Sequence, residues 1–228
     1  MTQQDRAKYT RQTILEAAAM VFDRAGYNAA TLNEVATLAN TMAQAERGAT
    51  VTKGAVSHHF QSKKDLAEAV ITAQHTWSVG LAKQKLEDDE PGLRSAIEMS
   101  LGLAAKLSDH EKPLVRAGIK LTLENGPSFD LPVDPYREWI DATVELLRRA
   151  VTEGDVRVEV DVAAAAELMV GCFVGVHLLS EVLSGRARLD EQVRLMWTFW
   201  LEHLVPEERV AEFRGFVAGR LMAEMVTP

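Results

Sequence analysis

Val51-Thr-Lys-Gly-Ala-Val-Ser-His-His-Phe60 decides how this chain is read. Thr52 and Lys53 open a short predicted helix that runs from Lys53 to Phe60. Val56 and Phe60 anchor it inward. Lys53, Ser57, His58 and His59 carry polar tips, and Gly54 permits close backbone approach. The amides of a first helical turn attract phosphate. A lysine there reaches guanine O6/N7 or a phosphate oxygen.

Two further helices are predicted ahead of it. Ile14, Leu15, Ala18, Val21 and Phe22 share one helical face, so the first helix starts near Thr10 and stops at Gly26. Thr31-Leu-Asn-Glu34 is a capping box that opens a second helix on Leu32, Val35, Ala36 and Ala39. Behind the third helix, Ser62-Lys-Lys-Asp65 starts a long fourth one through Leu66, Val70 and Ile71 to about Leu86. Three short helices with a long helix leaving them form the layout of a helix-turn-helix head. The third helix of such a head presents its N-terminal residues to the major groove.

The remaining pattern is helical as well, with stretches predicted at 93–108, 112–124, 134–153, 161–184, 189–204 and 206–225. Asn125-Gly-Pro-Ser, Leu131-Pro-Val-Asp-Pro135 and Glu153-Gly-Asp break them, Asp161 is an N-cap, and Gly185 is a stop. No sustained alternation of β-branched residues occurs, so the expected fold is all-α. The expected division is a helix-turn-helix head over residues 1–64 and a helical body over 65–228, to which the family resemblance described below assigns DNA binding, and ligand binding with dimerisation, respectively.

Charge divides at the same place. Residues 1–64 hold eight Lys/Arg and five Asp/Glu, a net of +3, whereas the remainder holds 17 and 28, a net of −11. A basic head on an acidic body suits a division of labour that the whole-chain charge of −8 conceals. The single cysteine, Cys172, excludes an internal disulfide and a cysteine-cluster metal site. No apolar run is read as reaching the ~18 residues of a bilayer span, because Val162 to Leu183 carries Glu167, His177 and Glu181. The N-terminus has no apolar core of the signal-peptide kind, and a cytoplasmic protein is expected.

Ile14-Leu-Glu-Ala-Ala, Phe22-Asp-Arg-Ala-Gly-Tyr27, Thr31-Leu, Val35-Ala, Val51 through Phe60 and Ser62-Lys63 together resemble the tetracycline-repressor (TetR-type) family of regulators, over about residues 10–66. The resemblance implies an all-helical homodimer with a DNA-reading head and a ligand-sensing body. The DNA-binding set it suggests is Arg11, Thr31, Arg47, Thr52, Lys53, Gly54, Ser57, His58, His59 and Lys63. In the body, Pro113-Leu-Val-Arg-Ala-Gly-Ile-Lys-Leu121, the loop before Tyr136-Arg-Glu-Trp139 and Asp161-Val-Ala-Ala-Ala-Ala resemble the γ-butyrolactone-type autoregulator receptors of actinomycetes. Members of that subgroup repress antibiotic-pathway or autoregulator genes and release DNA when a small lactone or furan binds; some relatives bind antibiotics.

Two departures from the family pattern stand out. Ser57 occupies a position where the family usually has an aromatic that contacts the DNA backbone. The family's short Ala-Gly-Val turn is here stretched, with Asn40 through Thr50 between Ala39 and Val51. The stripe of Leu32, Val35, Ala36 and Ala39 continues through Met42 and Ala43, and Gly48 is a C-terminal stop. The second helix is therefore expected to run on to Glu46 or Arg47, adding on the order of 11 Å. From there Arg47 adds a phosphate contact, or the extension spoils the fit to the groove.

The expected ligand set is Gln74, His75, Thr122, Glu124, Trp139, Phe173, Val176 and His177. Trp139 aligns with a tryptophan that the receptor subgroup keeps facing its pocket, and a mostly apolar pocket with a few polar anchors suits a lactone, a furan or an antibiotic-like molecule. Trp139, Phe173, Val176 and His177 have a plainer reading as core, His75 as a satisfied or exposed polar residue, and Trp197 and Trp200 are read as core or interface. The 161–184 stretch is apolar nearly all round, is expected to be buried on most sides, and suits a dimer seam.

An enzyme is the first competing class. No phosphate loop, nucleophile elbow or His-Glu-x-x-His occurs. His58 and His59 point about 100° apart on a helix and do not chelate together. No catalytic residue, metal site or cofactor is expected. The second alternative is a small-molecule-sensing interaction protein whose DNA binding is impaired by the insertion at 41–50. The expected partners are double-stranded operator DNA, a small hydrophobic ligand and a second copy of the chain, with no membrane. Ligand binding in the body is expected to shift the fourth helix and change the separation of the two heads.

Overall fold

Thr2 and Asp5 start the first helix earlier than the apolar pattern does. The Thr2 amide donates to Asp5 Oδ2 at 2.9 Å and the Asp5 amide to Thr2 Oγ1 at 3.1 Å. This capping box opens α1 (Gln3–Ala29), whose backbone breaks at Gly26 with φ of 72°. The expected start near Thr10 is thus corrected by two turns. Those turns lie in solvent and carry no apolar stripe, so their cap was the only signal.

The computed structural model describes residues 2–87, 90–109, 113–132 and 134–224, with side chains described through Gly219. The expected helix limits at Lys112 and Met225 lie outside the described residues, as do parts of the loops at 88–89 and 133. After α1 come α2 (Leu32–Arg47), α3 (Lys53–His59), α4 (Lys63–Glu87), α5 (Gly92–Ser108) and α6 (Pro113–Asn125). A 3-10 turn at Gly126–Ser128 precedes α7 (Pro135–Glu153), α8 (Val162–Ser184), α9 (Leu189–Leu204) and α10 (Glu207–Glu224). No strand occurs among the described residues, and the all-α expectation holds.

Packing divides the chain into two compact units, Met1–Ser78 with Asp109–Val133, and Val79–Ser108 with Asp134–Pro228. In the first, α1, α2, α3, the front of α4 and α6 share a core that includes Ile14, Phe22, Val35, Val56, Ile71 and Leu121. Gly118 of α6 lies so near Gln74 of α4 that an added Cβ would stand 2.5 Å from the glutamine's own Cβ. Only glycine lets these helices cross so closely.

In the second unit Leu93, Ile97, Leu146, Leu147, Trp197 and Phe213 are fully buried. The Trp197 indole donates to Ser100 Oγ at 2.6 Å, which satisfies its one polar atom inside the core.

Two expectations about α8 change. It is buried on one face only, through Ala165, Ala166, Met169, His177 and Ser180. Leu168, Leu179, Val182 (82% exposed) and Leu183 stand in the open, and Leu195 and Phe199 (68% exposed) of α9 do likewise. By length and composition α8 is also apolar enough to cross a membrane, because its ionisable residues are too few and too spread to interrupt it.

Candidate functional site

The stretched turn closes on itself. Thr31 and Glu34 cap α2 reciprocally, at 3.2 and 3.0 Å, and the helix runs unbroken to Arg47. Gly48 then takes a left-handed conformation, φ of 60°, and its amide donates back to the last turn. The chain returns alongside the helix it has just left. The Ala49 amide donates to Ala43 O at 3.1 Å, and the Gln44 side-chain amide donates to Thr50 Oγ1 at 3.0 Å. Finally the Val51 amide donates to Asn40 Oδ1 at 3.1 Å.

The added helical turns travel ~10 Å outward. Gly48 turns the chain, and Ala49, Thr50 and Val51 bring it back beside α2. Val51 therefore re-enters beside Asn40, and α3 begins next to the point where the excursion departed.

Thr52 Oγ1 accepts the Ala55 amide at 3.1 Å and caps α3. Val56 and Phe60 are buried. Thr52, Lys53, Gly54, Ser57 and His58 are exposed along this short helix, and His59 is half-buried. Burial first, then nearby His58 and Arg11, hold the His59 imidazole below its usual range. The Arg11 guanidinium sits over the Phe60 ring at 5.1 Å, which joins α1 to the end of α3. Arg47 stacks over the Tyr9 ring at 4.2 Å, and the Tyr9 hydroxyl donates to Glu46 Oε2 at 3.0 Å.

Lys63 has a different task from the one expected. Its ammonium donates to the carbonyls of Tyr27 (2.9 Å), Asn28 (3.2 Å) and Ala30 (3.1 Å) and lies over the Tyr27 ring. Those bonds use the three donors an ammonium has. Lys63 seals the end of α1 and leaves the DNA-binding set.

The expected ligand residues are divided between the two compact units. In the first, Gln74 and His75 are buried. The Thr122 hydroxyl donates to Gly118 O at 2.8 Å, and Glu124 is exposed beside Gly26.

In the second unit Trp139, Phe173 and Val176 are half-buried, and the Phe173 ring lies 5.8 Å from that of His177. Burial, reinforced by Arg186, pushes the His177 imidazole down to about 4. His177 Nδ1, Ser180 Oγ and the Tyr136 hydroxyl are buried with no hydrogen-bond partner among the described residues. Burial also pushes the Tyr136 phenol up to about 12. Such groups cost free energy until a partner arrives. Tyr136 and Ser180 were missed by sequence reasoning. The signal for Ser180 was its place three residues after His177 on an otherwise apolar helix.

A separate cleft of about 490 Å³ lies in the same unit, floored by Val79, Ala82, Leu86, Ile140 and Val144. None of the expected ligand residues lines it. Among the described residues no three His, Cys, Asp or Glu side chains gather as a metal site.

With this geometry in hand, comparison with known proteins is specific. Residues 14–70 match the model for bacterial regulatory proteins of the tetR family, and residues 91–206 match the tetracyclin repressor-like C-terminal domain. The chain belongs to the TetR family of DNA-binding transcriptional regulators, a class of non-enzymatic proteins.

Within it, the chain is 33% identical to the A-factor receptor protein of Streptomyces griseus over 223 residues, which span 92% of this chain and 72% of that one. A crystal structure of a γ-butyrolactone receptor (ArpA-like protein) matches with a TM-score of 0.78 at 32% identity, covering 96% of this chain and 99% of that one. CprB from Streptomyces coelicolor, in complex with its operator sequence, matches with a TM-score of 0.79 at 31% identity, covering 93% and 97%.

Proposed function

We propose that this protein is a ligand-responsive repressor. It binds pseudo-palindromic operator DNA as a homodimer in the cytoplasm, and a small hydrophobic signal of the γ-butyrolactone or related autoregulator type releases it. The observation that carries the reading is the bond from the Val51 amide to Asn40 Oδ1. Because the insertion begins and ends at one place, it leaves α3 at the end of an ordinary turn, with Lys53, Ser57 and His58 exposed. That weighs against the alternative of a sensor whose DNA binding the insertion has impaired. The likeness to receptors of the γ-butyrolactone type supports the choice of signal.

On this reading residues 1–64 form the reading head and 65–228 the sensing and dimerising body. The open faces of α8 and α9 meet their counterparts in a second copy. An apolar seam of this kind is symmetric and presents two heads together. Exposed Gly171 and Gly175 on that face of α8 allow close helix approach. Trp139, Phe173 and Val176 supply the apolar wall of the sensing site. His177, Ser180 and Tyr136 supply polar anchors to a lactone carbonyl or hydroxyl.

To release DNA, the signal must bind the non-binding conformation more tightly by a few kcal/mol, since equal affinity shifts nothing. The test is a gel shift with the DNA upstream of the protein's own coding sequence. Specific retardation that weakens steeply with salt and is reversed by a γ-butyrolactone is expected. Retardation equal to that of unrelated DNA would end the repressor reading. Specific binding that lactones, furans and culture extracts of the source organism all leave intact would end the assignment of the signal.

A further inference from the structure

Segments between helices usually run over the surface, yet the one between α6 and α7 commits an aromatic side chain to the core of the first unit. Phe129 is buried, and its ring meets the Tyr27 ring edge-on with centroids 5.2 Å apart. Leu131 packs against the same core. The 3-10 turn presents Phe129, whose amide donates to Gly126 O at 3.1 Å. The next residue is tied twice to the front of α4. The Asp130 amide donates to Glu68 Oε1 at 2.9 Å, and the Asp130 carboxylate accepts from Lys64 Nζ.

Tyr27 stands at the corner between α1 and α2. It stacks on Phe22 at 6.2 Å, and Lys63 Nζ lies 4.6 Å over its ring while bonding to the carbonyls of Tyr27, Asn28 and Ala30. Ala30 precedes Thr31, the cap of α2, and α2 leads to α3. The Phe129 ring therefore bears on the corner that sets both helices of the DNA-reading motif. Its companion tie is weak, because the Asp130 side chain is 90% exposed and an ion pair in that setting adds little. One buried ring and one exposed pair make an attachment that opens without unfolding the head. Along the chain, Pro132 and Pro135 restrict the backbone. Tyr136, whose buried hydroxyl has no partner among the described residues, is the seventh residue after Phe129.

We infer that Phe129 is a positioning residue of the reading head. Docked on Tyr27, it holds the DNA-binding form; a signal seated at Tyr136 and Trp139 releases DNA by drawing the 126–131 segment away. This inference rests on the ligand-responsive repressor reading above. The docked form keeps the same DNA contacts throughout, and only the fraction docked changes. Linkage makes the effect reciprocal, so operator binding must tighten the docking of the segment.

The test uses the full-length protein, the upstream duplex, and hydrogen exchange over 126–131 read by mass spectrometry. The duplex is expected to slow exchange there about fivefold or more relative to unrelated DNA at equal concentration. Phe129→Ala is expected to weaken operator binding by a similar factor and to keep the wild-type slope of log K against log salt, because the phosphate contacts of the docked form are unaltered. A γ-butyrolactone that releases the duplex is expected to speed exchange over 126–131 in the DNA-free protein.

Equal exchange on both DNAs would overturn the inference while leaving the repressor reading intact. So would an unchanged operator affinity in folded Phe129→Ala. A reduced salt slope would overturn it too, because Phe129 would then be shaping the contact surface. Release by the lactone without faster exchange would take the segment out of the relay. Should Phe129→Ala fail to fold, exchange in the wild type decides. A lactone that releases nothing ends the choice of signal, and the two measurements on DNA still decide the docking. A wild type that binds no duplex specifically would overturn the parent reading and this one with it.

Discussion

The Arg116 guanidinium of α6 grips the Asp23 carboxylate of α1. Its Nε stands 3.2 and 3.0 Å from the two carboxylate oxygens, and Nη2 stands 2.7 Å from Oδ2. Arg116 is buried, and Lys120, one turn further along α6, donates to the Asp23 carbonyl at 3.0 Å. α6 is therefore fastened to the first helix of the reading head, although the two residues are 93 positions apart in the chain.

Arg116→Met strands the Asp23 carboxylate, and Asp23→Asn leaves a buried guanidinium half-satisfied. Each is expected to cost roughly 3 kcal/mol of stability, the scale for breaking a buried pair. The double variant is expected to cost less than the sum, because the second change removes a charge already stranded. Urea titrations of the four proteins measure this; strict additivity would show that the pair is not coupled.

Lys53 and Lys63 are both near the DNA-reading stretch, and their environments predict opposite phenotypes. Lys53→Ala is expected to weaken operator binding by about 1–3 kcal/mol with an unchanged melting temperature, if it reads a base. Lys63→Met removes the seal on three carbonyls at the end of α1 and its C-cap, those of Tyr27, Asn28 and Ala30, and is expected to lower the melting temperature. Gel shifts and thermal melts on the same preparations separate them, and identical behaviour would refute the assignment.

Trp139→Ala is expected to blunt release by the signal while operator binding in its absence stays normal. Tyr136→Phe removes a buried hydroxyl that has no partner among the described residues. It is expected to leave the free protein no less stable and to weaken the response to any signal that bonds to that oxygen. Titrating signal into preformed protein–DNA complexes checks both. Undiminished release by Trp139→Ala would place the sensing site elsewhere.

Val182→Glu and Phe199→Glu each put a charge on the open apolar face of α8 and α9. Dissociation to monomers at micromolar concentration is expected, with loss of operator binding, because two heads are needed for a palindrome. Sedimentation velocity reads the mass. Cys172, exposed on α8, gives an independent readout through thiol crosslinking of wild-type dimers. If the wild type instead sediments with lipid vesicles and is monomeric without them, α8 serves a membrane.

His177 gives stability a pH dependence of known sign. Its folded pKa of about 4 lies below the ~6.5 of an unfolded histidine, so between these values the unfolded chain binds more protons. Stability is full above about pH 6.5 and falls as the pH drops toward 4. The total contribution is at most roughly 3 kcal/mol. His177→Gln is expected to flatten that limb of a stability-versus-pH curve; an unchanged limb would assign it to other groups.

The helices of α2 and α3 were legible because their evidence is local. The stripe through Met42 and Ala43 and the stop at Gly48 predicted how far α2 runs. The return path was not legible, because it depends on a bond between Asn40 and Val51 that no periodicity announces. The early start of α1 was missed because solvent-exposed turns have no apolar stripe. In the body the apolarity of α8 was plain, but which of its faces stays open depends on how its neighbours pack.

The sequence alone determined that the chain is helical and where most of its helices begin and end, the first turns of α1 excepted, because caps and stripes act over three or four residues. It also determined that the chain is a helix-turn-helix regulator, because Val51–Phe60 and its flanking stripes are diagnostic together. Only the tertiary structure decided which polar groups are already engaged. Lys63 is tied to α1, Arg116 to Asp23 and Arg47 to Tyr9, whereas Tyr136, His177 and Ser180 hold buried polar atoms with no partner among the described residues. The reason is physical: a side chain's partner is set by proximity in space, and those partners lie dozens of residues away along the chain.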